Sequence, residues 1–378
     1  MQEALLAETV ITPTAYCNWV EIQLAENCTF DRIRDAVKAL AASNEVLRSG
    51  FCPTHAQEKS IDGSNETQRD ERAAGTFKQI VWTDLDDSQI QFVSTFSRTY
   101  SLGSYESLLH PLSVQIKTFD GQSRLLFRMH HALYDGWSID LMLQDLGSIL
   151  HGKPVIPRPQ FREVVRYHIE NDAKIQAAAE QYWADHLRNR AGISLPNYNG
   201  KVNTGGSSQP LKSRSSVSLP KLLLRARDLG VNPQVFFQAA TAYVMSLYTG
   251  SHDVIIGNVT SGRTIPVAGI EDIVGPCIAS LPFRLHFERL SYVRDLLHET
   301  QRLNRESLQY CSLPLRNIAK VARTECGSSL FDVLFVWQQP LSPKPDCSPV
   351  AYVVDSADEL QFRITICLLY TSPSPRDS

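Results

Sequence analysis

The sequence predicts an α/β protein (α+β layers) built as two lobes. Helix-period and strand-period segments are interspersed along the whole chain, which argues for mixed layers rather than a bundle or a sandwich. A stretch rich in Gly, Ser, Asn and Lys, Asn197 to Ser216 (NYNGKVNTGGSSQPLKSRSS), divides the chain near its middle with the composition of a flexible linker. The length of 378 residues, at about 150 per domain, leaves room for two sizeable cores. The expected organisation is an N-terminal lobe over 1–196, a linker over 197–216, a C-terminal lobe over 217–366 and an off-pattern tail over 367–378.

Asp31 to Ala42 is an expected helix, with Asp31 as cap and Ile33, Val37 and Leu40 at helical spacing. His55 to Thr76 has almost no large apolar residue and reads as a solvated excursion. Leu112 to Phe119 alternates, with Leu112, Val114 and Ile116 on one face. Asp120-Gly121 follows as a hairpin turn and Arg124 to Met129 returns as a second strand. Next comes a helix with Ser138 as expected cap, an apolar stripe of Ile139, Met142, Leu143, Leu146, Ile149 and Leu150, and Gly152 and Pro154 at its end. Beyond the linker, Asn232-Pro233 opens a helix that runs to Gly250, and Val254 to Val259 reads as a buried strand.

Composition narrows the function classes. With 43% apolar and 20% charged residues the chain is an ordinary globular one, not disordered, collagen-like or coiled-coil. A net charge of −3 supplies no basic field, so no nucleic-acid partner is expected. The N-terminus lacks a basic n-region and no apolar run approaches the ~18 residues that span a bilayer, so neither secretion nor a membrane partner is expected. Eight scattered cysteines without a C-x-x-C pair point to reduced thiols and a cytoplasmic setting. The sequons at Asn27, Asn65 and Asn258 are then incidental.

The chemistry concentrates in Met129-His130-His131-Ala132-Leu133-Tyr134-Asp135-Gly136-Trp137-Ser138. A strand ends in two histidines, a short loop holds Asp135-Gly136, and a helix follows, so the loop is pinned between two rigid elements. His131 shares strand parity with Leu125, Phe127 and Met129, whereas His130 shares it with Leu126 and Arg128. If the strand extends through both, the histidines point to opposite faces and one alone can be the base. A metal site of His130, His131 and Asp135 would want further ligands that the sequence does not place, so no metal is expected. No nucleophile elbow, Walker loop, G-x-G-x-x-G or H-E-x-x-H competes.

With every fixed position present, this segment resembles the M-H-H-x-x-x-D-G-W-S core motif of the condensation domains of nonribosomal peptide synthetases. Met1 to Ala7 resembles the end of the family's first motif, which implies that residues precede it in the natural protein. Asn44 to Phe51 resembles R-H-E-x-L-R-T-x-F, with Ser43 and Asn44 replacing the leading Arg and His. Ile273 to Arg284 resembles V-G-x-x-x-N-T-x-x-x-R, with Ala279 and Ser280 where Asn-Thr is usual. Gln309 to Ile318 and Phe331 to Gln338 are similar to the last two motifs more loosely. The likeness runs from Met1 to about Ile366 and leaves the C-terminal lobe incomplete. Phrases such as GRTIPVAGIEDIVGP look most like fungal synthetases, those for hydroxamate siderophores included.

The resemblance implies two chloramphenicol-acetyltransferase-like lobes in a V, with the active-site tunnel between them. The implied reaction is amide formation between two thioesters carried on 4′-phosphopantetheine arms, with no bound cofactor. The implied partners are upstream and downstream peptidyl carrier domains and an adjoining adenylation domain. His131 would be the base or positioning group and Gly136 would lend its N–H to the oxyanion. His130 would be a buried support, and Asp135 would hold the loop through a salt bridge to Arg48, with Arg284 in reserve. Trp137, Ser280 and Arg284 would line the tunnel. Three other readings stand beside this one: a stand-alone acyltransferase using coenzyme A, an epimerase-like relative, and an inactive carrier-docking or scaffold fragment. The plant-type acyltransferases also carry D-F-G-W-G, which this chain lacks.

Overall fold

The computed structural model describes residues 2–11, 16–24, 28–54, 77–98, 106–119, 122–170, 173–190, 216–323, 330–338, 350–353 and 363–368. The expected excursion at His55–Thr76, the turn at Asp120-Gly121 and most of the expected linker lie outside them. The chain divides into two units: one comprises 1–170, 265–277 and 341–359, the other 171–264, 278–340 and 360–378.

The first unit contains α1 (Gln2–Ile11), β1 (Cys17–Leu24), α2 (Phe30–Ser43), β2 (Ser49–Pro53), β3 (Phe77–Val81), β4 (Ile90–Phe92), α3 (Glu106–Leu109), β5 (Leu112–Phe119), β6 (Gln122–His130), α4 (Gly136–Leu150) and α5 (Arg162–Glu170). The second contains α6 (Ala173–His186), α7 (Leu219–Leu229), α8 (Gln234–Thr249), β7 (Asp253–Thr260), β8 (Ala279–His286), α9 (Val293–Gln309), α10 (Leu315–Val321) and β9 (Val333–Gln338). Then β10 (Val350–Val353) returns to the first unit and β11 (Arg363–Leu368) to the second.

In the first unit the sheet order is β10-β1-β6-β5-β4, antiparallel except where β4 runs parallel to β5. The expected alternation of β5 holds: Leu112, Val114 and Ile116 are buried and Ser113, Gln115 and Lys117 less so. Strand β6 is central, and from Leu125 to His130 it is buried on both faces. Val20, Ile22, Phe127 and Met129 of the sheet face Leu40 of α2 and Met142 and Leu146 of α4. Helix α2 is capped by Thr29, whose side chain accepts the Arg32 N–H, and not by Asp31, which lies in the first turn. Helix α4 ends with Gly152 at φ +66°, where glycine carries no Cβ penalty.

The second unit has the sheet order β11-β9-β7-β8, with β7 parallel to β9. Val254, Ile256, Phe283, Leu285, Val333 and Phe335 of the sheet pack with Ala242 of α8 and Leu303 of α9. Within that core Gln238 and Asn304 exchange amide hydrogen bonds at 3.1 and 2.7 Å, so each side chain of the buried pair is satisfied by the other.

Two boundaries differ from the sequence expectation. Helix α6 belongs to the second unit, because Trp183 is fully buried there, its Nε1 donates to Tyr310 O at 3.1 Å, and Tyr182 stacks on Tyr310. The compositional linker therefore falls inside that unit's span. Cys367 and Leu368, expected to open the tail, pair with Leu334 and Val333 as the end of β11. Among the described residues no helix is long and apolar enough to cross a membrane.

Candidate active site

Strand β6 ends at His130, so strand parity does not reach His131, which stands in the following turn. The two rings nevertheless occupy opposite environments. His130 is fully buried; its Nδ1 accepts the Ala132 N–H at 3.0 Å and its Nε2 lies 2.8 Å from Thr9 Oγ1. An amide can only donate, so Nδ1 carries no proton and the neutral ring holds its hydrogen at Nε2. That hydrogen points at Thr9, whose hydroxyl in turn donates to Leu5 O at 2.8 Å. Burial, with His131 as a second cause, drives the His130 pKa down to about 4.

His131 is half-buried, and its Nδ1 lies 2.9 Å from Tyr134 O. A carbonyl can only accept, so here Nδ1 carries the proton and Nε2 presents a lone pair. Among the described residues Nε2 has no protein partner. The backbone around it is tied on two sides: His131 N donates to Tyr16 O at 2.8 Å, and Gln2 Nε2 donates to Ala132 O at 2.8 Å. The Tyr134 ring lies parallel to the imidazole, 7° between planes and 4.9 Å between centroids. Its hydroxyl accepts from Asn18 Nδ2 of β1 at 2.9 Å, and burial pushes the phenol up to about 12.

Helix α4 starts with a capping box, but Asp135 is its N-cap and Ser138, expected as the cap, occupies the third helical position. Asp135 Oδ1 accepts the Ser138 N–H at 2.8 Å and stands 2.7 Å from its hydroxyl. A negative charge at this end also meets the positive pole of the helix. Gly136, the first helical residue, is exposed, and at that position a backbone N–H has no intrahelical acceptor.

Residues 265–277 fasten onto this cap. Asp135 Oδ2 accepts the Cys277 N–H at 3.0 Å; Ser138 Oγ accepts the Gly275 N–H at 2.9 Å and lies as close to Gly275 O. Trp137 Nε1 donates to Glu271 O at 2.8 Å. Arg158 grips Asp145 of α4 through two 2.8 Å bonds and reaches Asp272 at 3.5 Å. Gly275 has to be glycine, because a Cβ there would overlap the Phe161 ring.

Several expected assignments change. Arg48 is not the partner of Asp135: its guanidinium is taken by the carbonyls of Ala41, Trp82 and Thr83. Nor is Arg284, which is buried, pairs with Asp253 through two bonds of 2.8 and 2.7 Å and also caps the carbonyls of His186 and Arg188. Those contacts make Arg284 half of an ion pair within the second unit. Trp137 clasps the 265–277 segment. Ser280 lies half-buried on β8 opposite Val259. Among the described residues no three metal-ligating side chains converge.

The sequence reading missed Gln2, Thr9, Asn18 and Tyr134. Thr9 and Asn18 carry no spacing signal, since each acts on a residue more than a hundred positions away. Tyr134 stood inside the motif as a variable position.

The sheets and helices resemble those of solved condensation domains. The condensation domain from the Monacolin K polyketide synthase MokA superposes with a TM-score of 0.64 at 17% identity, over 93% of this chain and 80% of that one. The first condensation domain of the calcium-dependent antibiotic synthetase gives 0.61 at 15% identity, over 89% and 86%. The model of the condensation domain family matches residues 2–356, and the chain belongs to that family. It is 51% identical over 370 residues to Nonribosomal peptide synthetase 2 of Cochliobolus heterostrophus and 37% over 366 residues to Nonribosomal peptide synthetase sidC of Arthroderma benhamiae. In both cases 97% of this chain is covered but 7% of the relative, so the chain spans a small part of those synthetases.

Proposed function

We propose that the chain forms amide bonds between thioesters carried on the phosphopantetheine arms of two carrier domains of a fungal synthetase. The observation that carries this reading is the His131 ring: Nδ1–H fixed on Tyr134 O, Nε2 with a lone pair and no partner among the described residues. The α-amine of the downstream aminoacyl thioester attacks the upstream thioester carbonyl. The C–N bond forms, the C–S bond breaks, the amine proton passes to His131 Nε2 and the departing thiolate takes up a proton. Much of the effect is positioning, because a free amine is already a nucleophile. The Gly136 N–H faces the developing oxyanion.

Adjoining carrier and adenylation domains, a cytoplasmic setting and a siderophore-type product belong to the same proposal; the synthetase relatives and the five free thiols among the described residues support it. Ala279 and Ser280, in place of the family's Asn-Thr, favour the rival reading of an inactive scaffold. The deciding experiment offers the chain two loaded carriers in a single-turnover assay, beside the same acyl groups on free coenzyme A. Product from the carriers alone supports the proposal. Equal turnover of coenzyme A thioesters would favour a stand-alone acyltransferase, and no product from either the scaffold.

A further inference from the structure

We propose that Tyr134 is a positioning residue for His131: its carbonyl selects the imidazole tautomer and its ring, anchored by Asn18, holds the imidazole plane. The inference rests on the reading of His131 as the proton acceptor but adds a residue that the motif leaves variable.

The carbonyl contact alone does not fix the ring. A single 2.9 Å bond to Nδ1 leaves the imidazole free to swing about its own side-chain torsions and off the carbonyl, and each swing releases Nδ1 and moves the Nε2 lone pair. The tyrosine removes that freedom. Its ring lies parallel to the imidazole with centroids 4.9 Å apart, the separation of an offset stack. The plate is itself immobile, since the side chain is buried and its oxygen is held by Asn18 Nδ2 at 2.9 Å. Asn18 lies on β1, paired with Met129 of β6 directly before the two histidines, so anchor and histidine turn sit on one rigid ladder. The stack has a second consequence: when Nε2 takes up a proton, the positive imidazolium faces the electron-rich side of the tyrosine ring. Two parts of one residue thus act together, the backbone on Nδ1 and the ring on the face.

The test uses the full chain with side-chain ¹⁵N-labelled histidine. In the wild type the His131 nitrogen shifts are expected to report one tautomer, protonated at Nδ1. Tyr134→Leu keeps the apolar character but removes the ring; the His131 signals should move towards the average of both tautomers. Single-turnover amide formation should fall roughly tenfold or more with little change in carrier affinity. Tyr134→Phe keeps the ring but loses the hydroxyl that Asn18 holds, so its rate and its Nδ1–H population should fall between those of wild type and Tyr134→Leu. Asn18→Ala, which leaves both rings in place and removes the same anchor, should match Tyr134→Phe and keeps the test decisive if Tyr134→Leu does not fold. Wild-type His131 signals in folded Tyr134→Leu, or in Asn18→Ala where the Tyr134→Leu chain does not fold, overturn the proposal whatever the rate. A shifted tautomer with an unchanged rate leaves the positioning standing and removes His131 as the base.

Discussion

His130 and His131 are chain neighbours that carry opposite tautomers. An amide donates into Nδ1 of the first, and a carbonyl accepts from Nδ1 of the second. The first ring is spent on both nitrogens inside the core, and the second keeps a lone pair on Nε2 with no partner among the described residues. Sequence adjacency hides two different jobs, and the hydrogen-bond partners separate them.

The His130 network should be sensitive to its far end. Replacing Thr9 by valine keeps the shape but strands the Nε2–H in a buried site, at a cost of about 1–3 kcal/mol. Urea unfolding of Thr9→Val checks this, and a stability equal to wild type would show that the helix α1 contact is dispensable.

Acid should unfold the chain earlier than its carboxylates require. The folded-state pKa of His130 is lowered from 6.5 to about 4, and that of His186, by burial and the adjacent Arg284, likewise to about 4. Below 6.5 the unfolded chain binds protons that the folded chain refuses. Stability is therefore fully present above 6.5 and is lost as pH falls towards about 4. Between pH 6.5 and about pH 5 each histidine accounts for about 2 kcal/mol. Urea midpoints measured across that window should drop steadily, whereas a flat profile would contradict the buried neutral histidines.

The cap of α4 and the 265–277 segment should fail together. Ser138→Ala removes the hydroxyl that accepts the Gly275 N–H and should cost about 1–3 kcal/mol. Gly275→Ala pushes a methyl group into the Phe161 ring and should cost a similar amount. Native-state hydrogen exchange should report faster exchange at Cys277 in both variants, and protection unchanged from wild type would mean that the segment is held by other contacts.

Much of the fold and of the site is legible in the amino-acid sequence. The alternation in β5, the HHxxxDG loop between strand and helix, and helices α2, α4 and α8 follow from local periodicity, because each is decided by residues within a few turns of one another. The clasp on α4 is not legible. Its partners lie more than 130 positions away and present mostly backbone: Glu271 O, Gly275 N–H and O, Cys277 N–H. Backbone groups leave no side-chain signature. The arginine assignments went wrong for a related reason. Arg48 is claimed by the carbonyl of Ala41 near the end of α2 and by those of Trp82 and Thr83 just after β3, which any strong donor would satisfy. The Arg284–Asp253 pair could have been read, because the two residues are diagonal neighbours across the β7–β8 ladder.

The most direct test of the account compares His131→Ala with His130→Ala in single-turnover amide formation between loaded carriers, each variant melted in parallel. His131→Ala is expected to lose about 10²–10⁴-fold in rate with its melting temperature unchanged, as for a removed acid–base group. His130→Ala is expected to lose stability first, because the Ala132 N–H loses its acceptor in the core and the Thr9 hydroxyl loses the hydrogen bond it accepts. A His131→Ala protein that forms the amide at the wild-type rate would contradict the proposal of the His131 Nε2 lone pair as the proton acceptor.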